Sequence, residues 1–227
     1  MMNTRDSSSE EARFRAVWSS CRIPPRLADA SFENYLPNCS EQERALEKCR
    51  AFAANGLDNI DQGKGLFLKG SVGTGKSHLS VSILRAIIKN HSDRFGTPAS
   101  ETVYFGQPVY GGICCSMISV VDLLGLLRES FSAEQLRAPA RRLLRRARND
   151  DLVILDDIGV EKPSDWVEEQ LYTLIDVRYR MLHSTIFTTN CSMKQLEAQI
   201  GIRTVSRIME MCEGVRVGGE DWRKRIH

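Results

Sequence analysis

Eight consecutive residues carry the strongest chemical signal in this chain. Gly70-Ser71-Val72-Gly73-Thr74-Gly75-Lys76-Ser77 fits the spacing G-x-x-x-x-G-K-[ST]. Glycines at 70, 73 and 75 let the backbone turn so that successive N–H groups converge on one point. Such a nest at the start of a helix binds phosphate, because unpaired donors and the helix dipole both favour an anion. Lys76 is placed to reach the β- and γ-phosphates of a nucleoside triphosphate as a point charge. The Ser77 hydroxyl is placed to ligate Mg2+. With His78, which follows directly, residues 70–78 form the candidate ATP-binding set.

A phosphate loop needs an acid on the magnesium side. Asp156 and Asp157 follow the apolar run Leu152-Val153-Ile154-Leu155. In a parallel sheet the carboxyl ends of the strands face the ligand crevice. Asp156 is therefore expected to hold Mg2+, directly or through water. Asp157 is expected to orient or deprotonate the attacking water. The pair could instead merely begin a turn at Ile158-Gly159. Asn190 follows a third run, Thr185–Thr189. Its amide could touch the γ-phosphate or the attacking water, or it could cap the next helix.

These residues need a scaffold, and the hydrophobic pattern supplies one. Leu66-Phe67-Leu68 reads as a buried strand running into the loop. Residues 76–89 read as the helix leaving it, with Leu79, Ile83 and Ile87 on one face and Leu84 and Ile88 beside them. Ile113–Ile118 is a candidate strand, and Val120, Leu124, Leu127 and Phe131 mark a helix after it. The run 152–155 is the clearest strand. Residues 165–182 read as helix, Thr185–Thr188 as strand, and 192–199 and 203–212 as short helices. This alternation predicts an α/β fold with a parallel sheet flanked by helices. Residues 91–111 show no helical period and read as an exposed loop or small hairpin. Residues 41–54 read as a helix stopped near Asn55-Gly56. Residues 1–11, rich in Ser and Glu, are expected to be disordered. A short helix over 12–20 should end before Pro24-Pro25. The domain reading is a flexible or short helical extension, 1–22, before one domain, 23–227.

A second chemical signal is positive charge. Arg137, Arg141, Arg142, Arg145, Arg146 and Arg148 crowd one stretch, and spacings of four and three put Arg141, Arg145 and Arg148 on one helical face. Pro139 should kink or start that helix. A ridge of this kind suits the backbone of single-stranded DNA. The alternative is a solvated face, or arginines paired with Glu134, Asp150 and Asp151. Phe131 is the one aromatic near this stretch in sequence, so phosphate contacts should outweigh base contacts.

Bulk properties narrow the classes. A length of 227 residues, 42 % of them hydrophobic and 26 % charged, fits one globular domain of ordinary size. No apolar run approaches the ~20 residues of a membrane span. Seven cysteines without a C-x-x-C pair are expected to be free thiols in a reducing cytoplasm.

Further segments carry a resemblance. They are Ile23-Pro24-Pro25-Arg26, Ala30-Ser31-Phe32-Glu33-Asn34-Tyr35, the phosphate loop, Leu152–Gly159, Thr188-Thr189-Asn190, Ser206-Arg207-Ile208 and Gly219-Glu220-Asp221-Trp222-Arg223. With them the chain resembles, over residues 22–225, the bacterial replicative-helicase loaders of the DnaC/DnaI type. It also resembles their relatives, the IstB-like transposition ATPases. The resemblance implies a P-loop NTPase of AAA+ type. It implies that Asp156 is the Walker B magnesium acid, Asp157 the adjacent catalytic acid and Asn190 sensor 1. Arg207 then resembles an arginine finger offered to ATP on a neighbouring subunit, and Arg223 resembles sensor 2. Either arginine could instead form a surface salt bridge. The implied function is ATP-driven loading of a hexameric replicative helicase onto single-stranded DNA, with self-association in the ATP state. The alternative is a mobile-element or phage ATPase that delivers a transposase or replication protein to DNA.

Two departures stand out. Such loaders carry a sizeable N-terminal helicase-binding domain, whereas about 20 residues precede the matching segment here, and 91–111 is longer than expected. Two other classes compete. A small-molecule kinase would need a lid, for which there is no clear signature. A nucleotide-switched DNA-binding module would hydrolyse ATP slowly, which Asp157, one methylene shorter than glutamate, would permit.

Overall fold

A computed structural model of the chain describes residues 4–96, 103–104, 107–108 and 112–222. Helix α1 (Thr4–Ser20) is followed by a 3-10 turn at Pro25–Leu27, then by α2 (Ser40–Ala54) and α3 (Gly56–Asp61). Strand β1 (Gly65–Lys69) enters the phosphate loop and α4 (Lys76–Asn90) leaves it. The short strands β2 (Val103–Tyr104) and β3 (Gln107–Pro108) pair antiparallel, so the 91–111 segment does contain a small hairpin. Next come β4 (Cys115–Ser119), α5 (Val120–Glu129), α6 (Glu134–Asn149), β5 (Leu152–Asp156) and α7 (Asp165–Arg180). Strand β6 (Ser184–Thr189), α8 (Met193–Ile200), α9 (Ile202–Met211) and β7 (Cys212–Arg216) complete the described chain.

The main sheet runs β4-β5-β6-β1-β7, and every neighbouring pair is parallel. Alternate residues along each strand point to opposite faces. Leu66, Leu68, Leu152 and Ile154 join one core with α1, α2 and α4. Phe67, Val153, Leu155 and Phe187 join the other with α5–α9. Burial on both faces explains why these strands read as continuous apolar runs. The strand order also places the carboxyl ends of β5, β6 and β1 side by side, with Lys69 in register with Thr189. The chemistry-bearing residues follow those three strand ends.

Several expectations need correction. Residues 4–11, expected to be disordered, are helical: α1 starts at Thr4. The helix is anchored beyond them, at residues 14–18, and residues 4–11 extend it toward its start. Phe14 and Trp18 stack at 5.6 Å, and the Arg85 guanidinium from α4 lies over both rings. Val17 is only 2 % exposed. Tertiary docking, more than propensity, makes this helix. Pro139 does not start α6; it sits inside a helix that begins at Glu134. The helix over 41–54 does stop at Asn55-Gly56 as expected, but α3 begins there at once. The end of the 203–212 helix gives way to β7, an edge strand that the hydrophobic pattern does not announce. Only Cys212 and Val215 of β7 are buried, three apart, so it shows no alternation. None of the described helices is long and apolar enough to cross a membrane.

Candidate nucleotide-binding site

The loop between β1 and α4 is held from several sides. Gly73 and Gly75 adopt left-handed backbone angles, φ 75° and 91°. At Gly75 a Cβ would also lie 2.5 Å from the Tyr35 ring, so this position requires glycine twice over. The Tyr35 hydroxyl donates to the Thr74 carbonyl at 3.0 Å. Gln42 Nε2 donates to the Gly218 carbonyl at 3.0 Å and lies 3.4 Å from the Thr74 carbonyl. The Trp222 N–H donates to the Gly73 carbonyl at 3.0 Å. Lys76 is 5 % exposed, and its ammonium donates to the carbonyls of Gly70 (2.9 Å) and Ser71 (2.7 Å).

The acids meet the loop across the sheet. The Ser77 hydroxyl donates to Asp156 Oδ1 at 2.8 Å, and the Thr188 hydroxyl donates to the same oxygen at 2.7 Å. Thr188 Oγ1 also accepts the Asp157 N–H at 2.8 Å. Asp157 itself sits at φ 57°, an uncommon region for a residue with a side chain. Burial raises the Asp156 pKa, and the Asp157 charge adds to the rise. The Thr188 and Ser77 hydrogen bonds and the Lys76 charge oppose it. Asn190 does not cap α8: Ser192 does, in a capping box with Gln195. Asn190 Oδ1 is instead buried without a hydrogen-bond partner. Ser77 and Asp156 offer the hard oxygen donors that suit Mg2+. Their direct contact brings two such donors to one point, so the residues present fit that cation.

A cavity of about 620 Å3 opens over the loop. Residues 72–78, Asp157 and Asn190 form its polar side; Pro24, Arg26, Leu27, Asn34, Tyr35, Leu36, Gln42 and Trp222 form the rest. Gly70 and Ser71, which open the loop, are not among the cavity residues; their carbonyls accept from Lys76. The size suits a nucleotide. The wall formed by residues 24–42 includes two segments that carry the resemblance, but their residue types announce no contact with the loop. Tyr35 and Gln42 act on Thr74 from 39 and 32 positions away, which no local pattern reveals. His78 points to this wall: its ring nitrogen lies 2.9 Å from the Ser31 carbonyl, and its ring lies 5.5 Å from that of Tyr35. Burial lowers its pKa.

The arginines divide. Arg207, on α9, is not among the cavity residues; it pairs with Asp176 of α7 at 2.9 Å. Arg223 lies outside the described residues. On α6, Arg137, Arg141, Arg142 and Arg145 are exposed, and Arg148 is half-buried. Arg146 departs from the expected DNA face. Its guanidinium binds buried Asp150 at 2.9 Å and donates to the carbonyls of Ser20 (2.7 Å) and Cys115 (2.8 Å). It is a tie between α6, α1 and β4. The structure also supplies an aromatic that is distant in sequence: Trp166 of α7 meets Phe131 edge-on, with ring centroids 6.3 Å apart.

Comparisons with known proteins agree with this geometry. Residues 103–227 match the sequence model of the IstB-like ATP binding proteins. The replicative helicase loader DnaC of Escherichia coli K12 is 26 % identical over 200 residues, 88 % of this chain and 68 % of that protein. A crystal structure of the DnaC helicase loader superposes with a TM-score of 0.68 at 31 % identity, covering 86 % of this chain and 99 % of that one. The structure of DnaI shares the fold, with a TM-score of 0.64 at 20 % identity over 88 % of this chain and 94 % of that one. The nest, the paired acids at a strand end and these likenesses lead to one assignment: the chain belongs to the IstB-like ATP-binding family, as an AAA+ ATPase of the kind that includes the DnaC helicase loaders.

Proposed function

We propose that this chain uses ATP to load a ring-shaped replicative helicase onto single-stranded DNA. The observation that carries the reading is the extent of the likeness to a helicase loader: it runs through most of the domain, well beyond the phosphate loop. The mobile-element alternative is weaker, because the sequence relatives whose names state a role are replicative helicase loaders.

The chemistry follows from the site. An entering triphosphate offers oxygens in place of the carbonyls that hold Lys76, so the ammonium exchanges its partners for phosphate with little movement. Ser77 and Asp156 would hold Mg2+, which neutralises phosphate charge. Asp157 lines the same cavity as Asn190 and accepts a proton from the attacking water, while the Asn190 amide orients that water or the γ-phosphate. Arg207 lies away from its own cavity, so its charge serves a second copy's nucleotide. Hydrolysis then depends on assembly. Single-stranded DNA lies along the exposed α6 arginines. Phe131, 70 % exposed, meets Trp166, whose ring the Arg128 guanidinium covers, and offers a face for a base.

The test is co-elution with the ring-shaped replicative helicase of the same organism, with and without ATP. A complex that forms with ATP and transfers the helicase to single-stranded DNA is expected. No complex in either condition overturns the loader reading. Lys76→Ala should abolish nucleotide binding; intact binding would overturn the phosphate-loop assignment itself.

A further inference from the structure

We infer that Asp176 and Tyr172 are positioning residues for Arg207, holding its guanidinium ready for the nucleotide of a neighbouring copy. The inference rests on the reading of Arg207 as a group that acts in trans.

Tyr172, Asp176 and Tyr179 are spaced four and three apart on α7, which places them on one helical face. Arg207 approaches that face from α9. Its Nη2 forms an ion pair with Asp176 Oδ1 at 2.9 Å and donates to the Tyr172 hydroxyl at 3.1 Å. The guanidinium carbon lies 4.7 Å from the Tyr172 ring centroid and 5.7 Å from that of Tyr179. Both rings thus meet the cation through their electron-rich faces. Around this centre sit two further ties. The Tyr179 hydroxyl donates to Glu210 Oε1 at 2.7 Å, three residues along α9 from Arg207. Asp176 Oδ2 accepts Arg180 Nε at 2.8 Å, which turns the carboxylate so that Oδ1 faces Arg207.

An arginine side chain ordinarily samples many rotamers, and a group that must meet a transition state from another subunit loses rate when it is loose. Here the carboxylate, the hydroxyl and the two rings restrict the side chain before any neighbour arrives. A single surface salt bridge would not require two rings and a hydroxyl around the same guanidinium. The side chain keeps about a quarter of its surface exposed, so it remains accessible.

The experiment uses the full chain assembled on single-stranded DNA. Asp176→Asn removes the charge and keeps the shape; Tyr172→Phe removes only the hydroxyl. Each should lower kcat for ATP, the first by about 10-fold or more given the ~10³ that a trans arginine can contribute. KM for ATP should stay unchanged, because the variant's own pocket is intact. Mixing then separates positioning from simple structural support. Asp176→Asn protein supplies a sound pocket and Asp157→Asn protein supplies a sound Arg207, so the mixture should exceed the sum of the two alone. Asp176→Asn with wild-type kcat, or with raised kcat, overturns the inference, as does a mixture with no gain. Arg207→Ala distinguishes the two levels. If it keeps full turnover, the trans reading itself fails; if it is inactive while Asp176→Asn is normal, only the positioning role fails.

Discussion

Thr188 serves two acids with one hydroxyl. It donates to Asp156 Oδ1 and accepts the N–H of Asp157, whose backbone sits at φ 57°. Strain of that kind costs on the order of 1–3 kcal/mol and persists only where neighbours hold it. Thr188→Val keeps the volume and removes both bonds. It should destabilise the fold by about 1–3 kcal/mol, since it strands the Asp157 N–H. It should also slow ATP turnover by about tenfold, because both acids lose their fixed place. Urea denaturation and steady-state turnover measure the two effects, and Thr188→Ser should restore most of each. Wild-type turnover in Thr188→Val would show that the loop alone fixes the acids. The acids themselves are legible in the sequence because they sit in a contiguous run, at the end of an unmistakable strand. What Thr188 and Asp176 do is not legible there. The first depends on how β5 and β6 pair, and the second on how α7 packs against α9; neither leaves a local pattern.

Helix α6 shows how far an element can be read from spacing. Six arginines look alike in sequence, yet packing assigns them opposite tasks. Arg141, Arg142 and Arg145 are exposed, whereas Arg146 reaches Asp150, Ser20 and Cys115. Changing Arg141, Arg142 and Arg145 to Glu should weaken single-strand binding. The slope of log affinity against log salt should flatten by roughly 0.7 for each phosphate that no longer meets an arginine. Unchanged affinity at low salt would remove α6 from the DNA path. Arg146→Ala should behave differently. It leaves the Asp150 carboxylate, fully buried, without its hydrogen-bonded charge partner, and breaking a buried pair costs about 3–5 kcal/mol. Urea unfolding should register that loss while the salt slope of the remaining folded protein stays the same. The same limit explains β7. Its pairing with β1 is parallel and long-range, and its five residues carry too little apolar pattern to announce a strand.

At the scale of the whole molecule, the open question is whether α1 is an appendage or a wall of the core. In sequence it reads as an extension separable near residue 22, because the Ser-rich start hides the buried face of the helix. The contacts argue for a wall. The Met117 N–H of β4 donates to the Cys21 carbonyl at 2.8 Å, and the thiols of Cys21 and Cys115 lie 3.4 Å apart. Thiol labelling of the native protein reads this directly. Cys39 and Cys191 are half-exposed; Cys21, Cys49, Cys114, Cys115 and Cys212 are buried. Burial also pushes Cys49 and Cys114 up to about 12, which leaves little thiolate to react. If α1 is integral, a burst of two thiols should precede a slow phase of five, at a rate set by global unfolding. If α1 detaches readily, Cys21 and Cys115 should join the fast phase, because lifting the helix uncovers both at once. The first result would place the start of the domain within α1, before residue 22, and any helicase contact made by this helix would have to use its outer face alone.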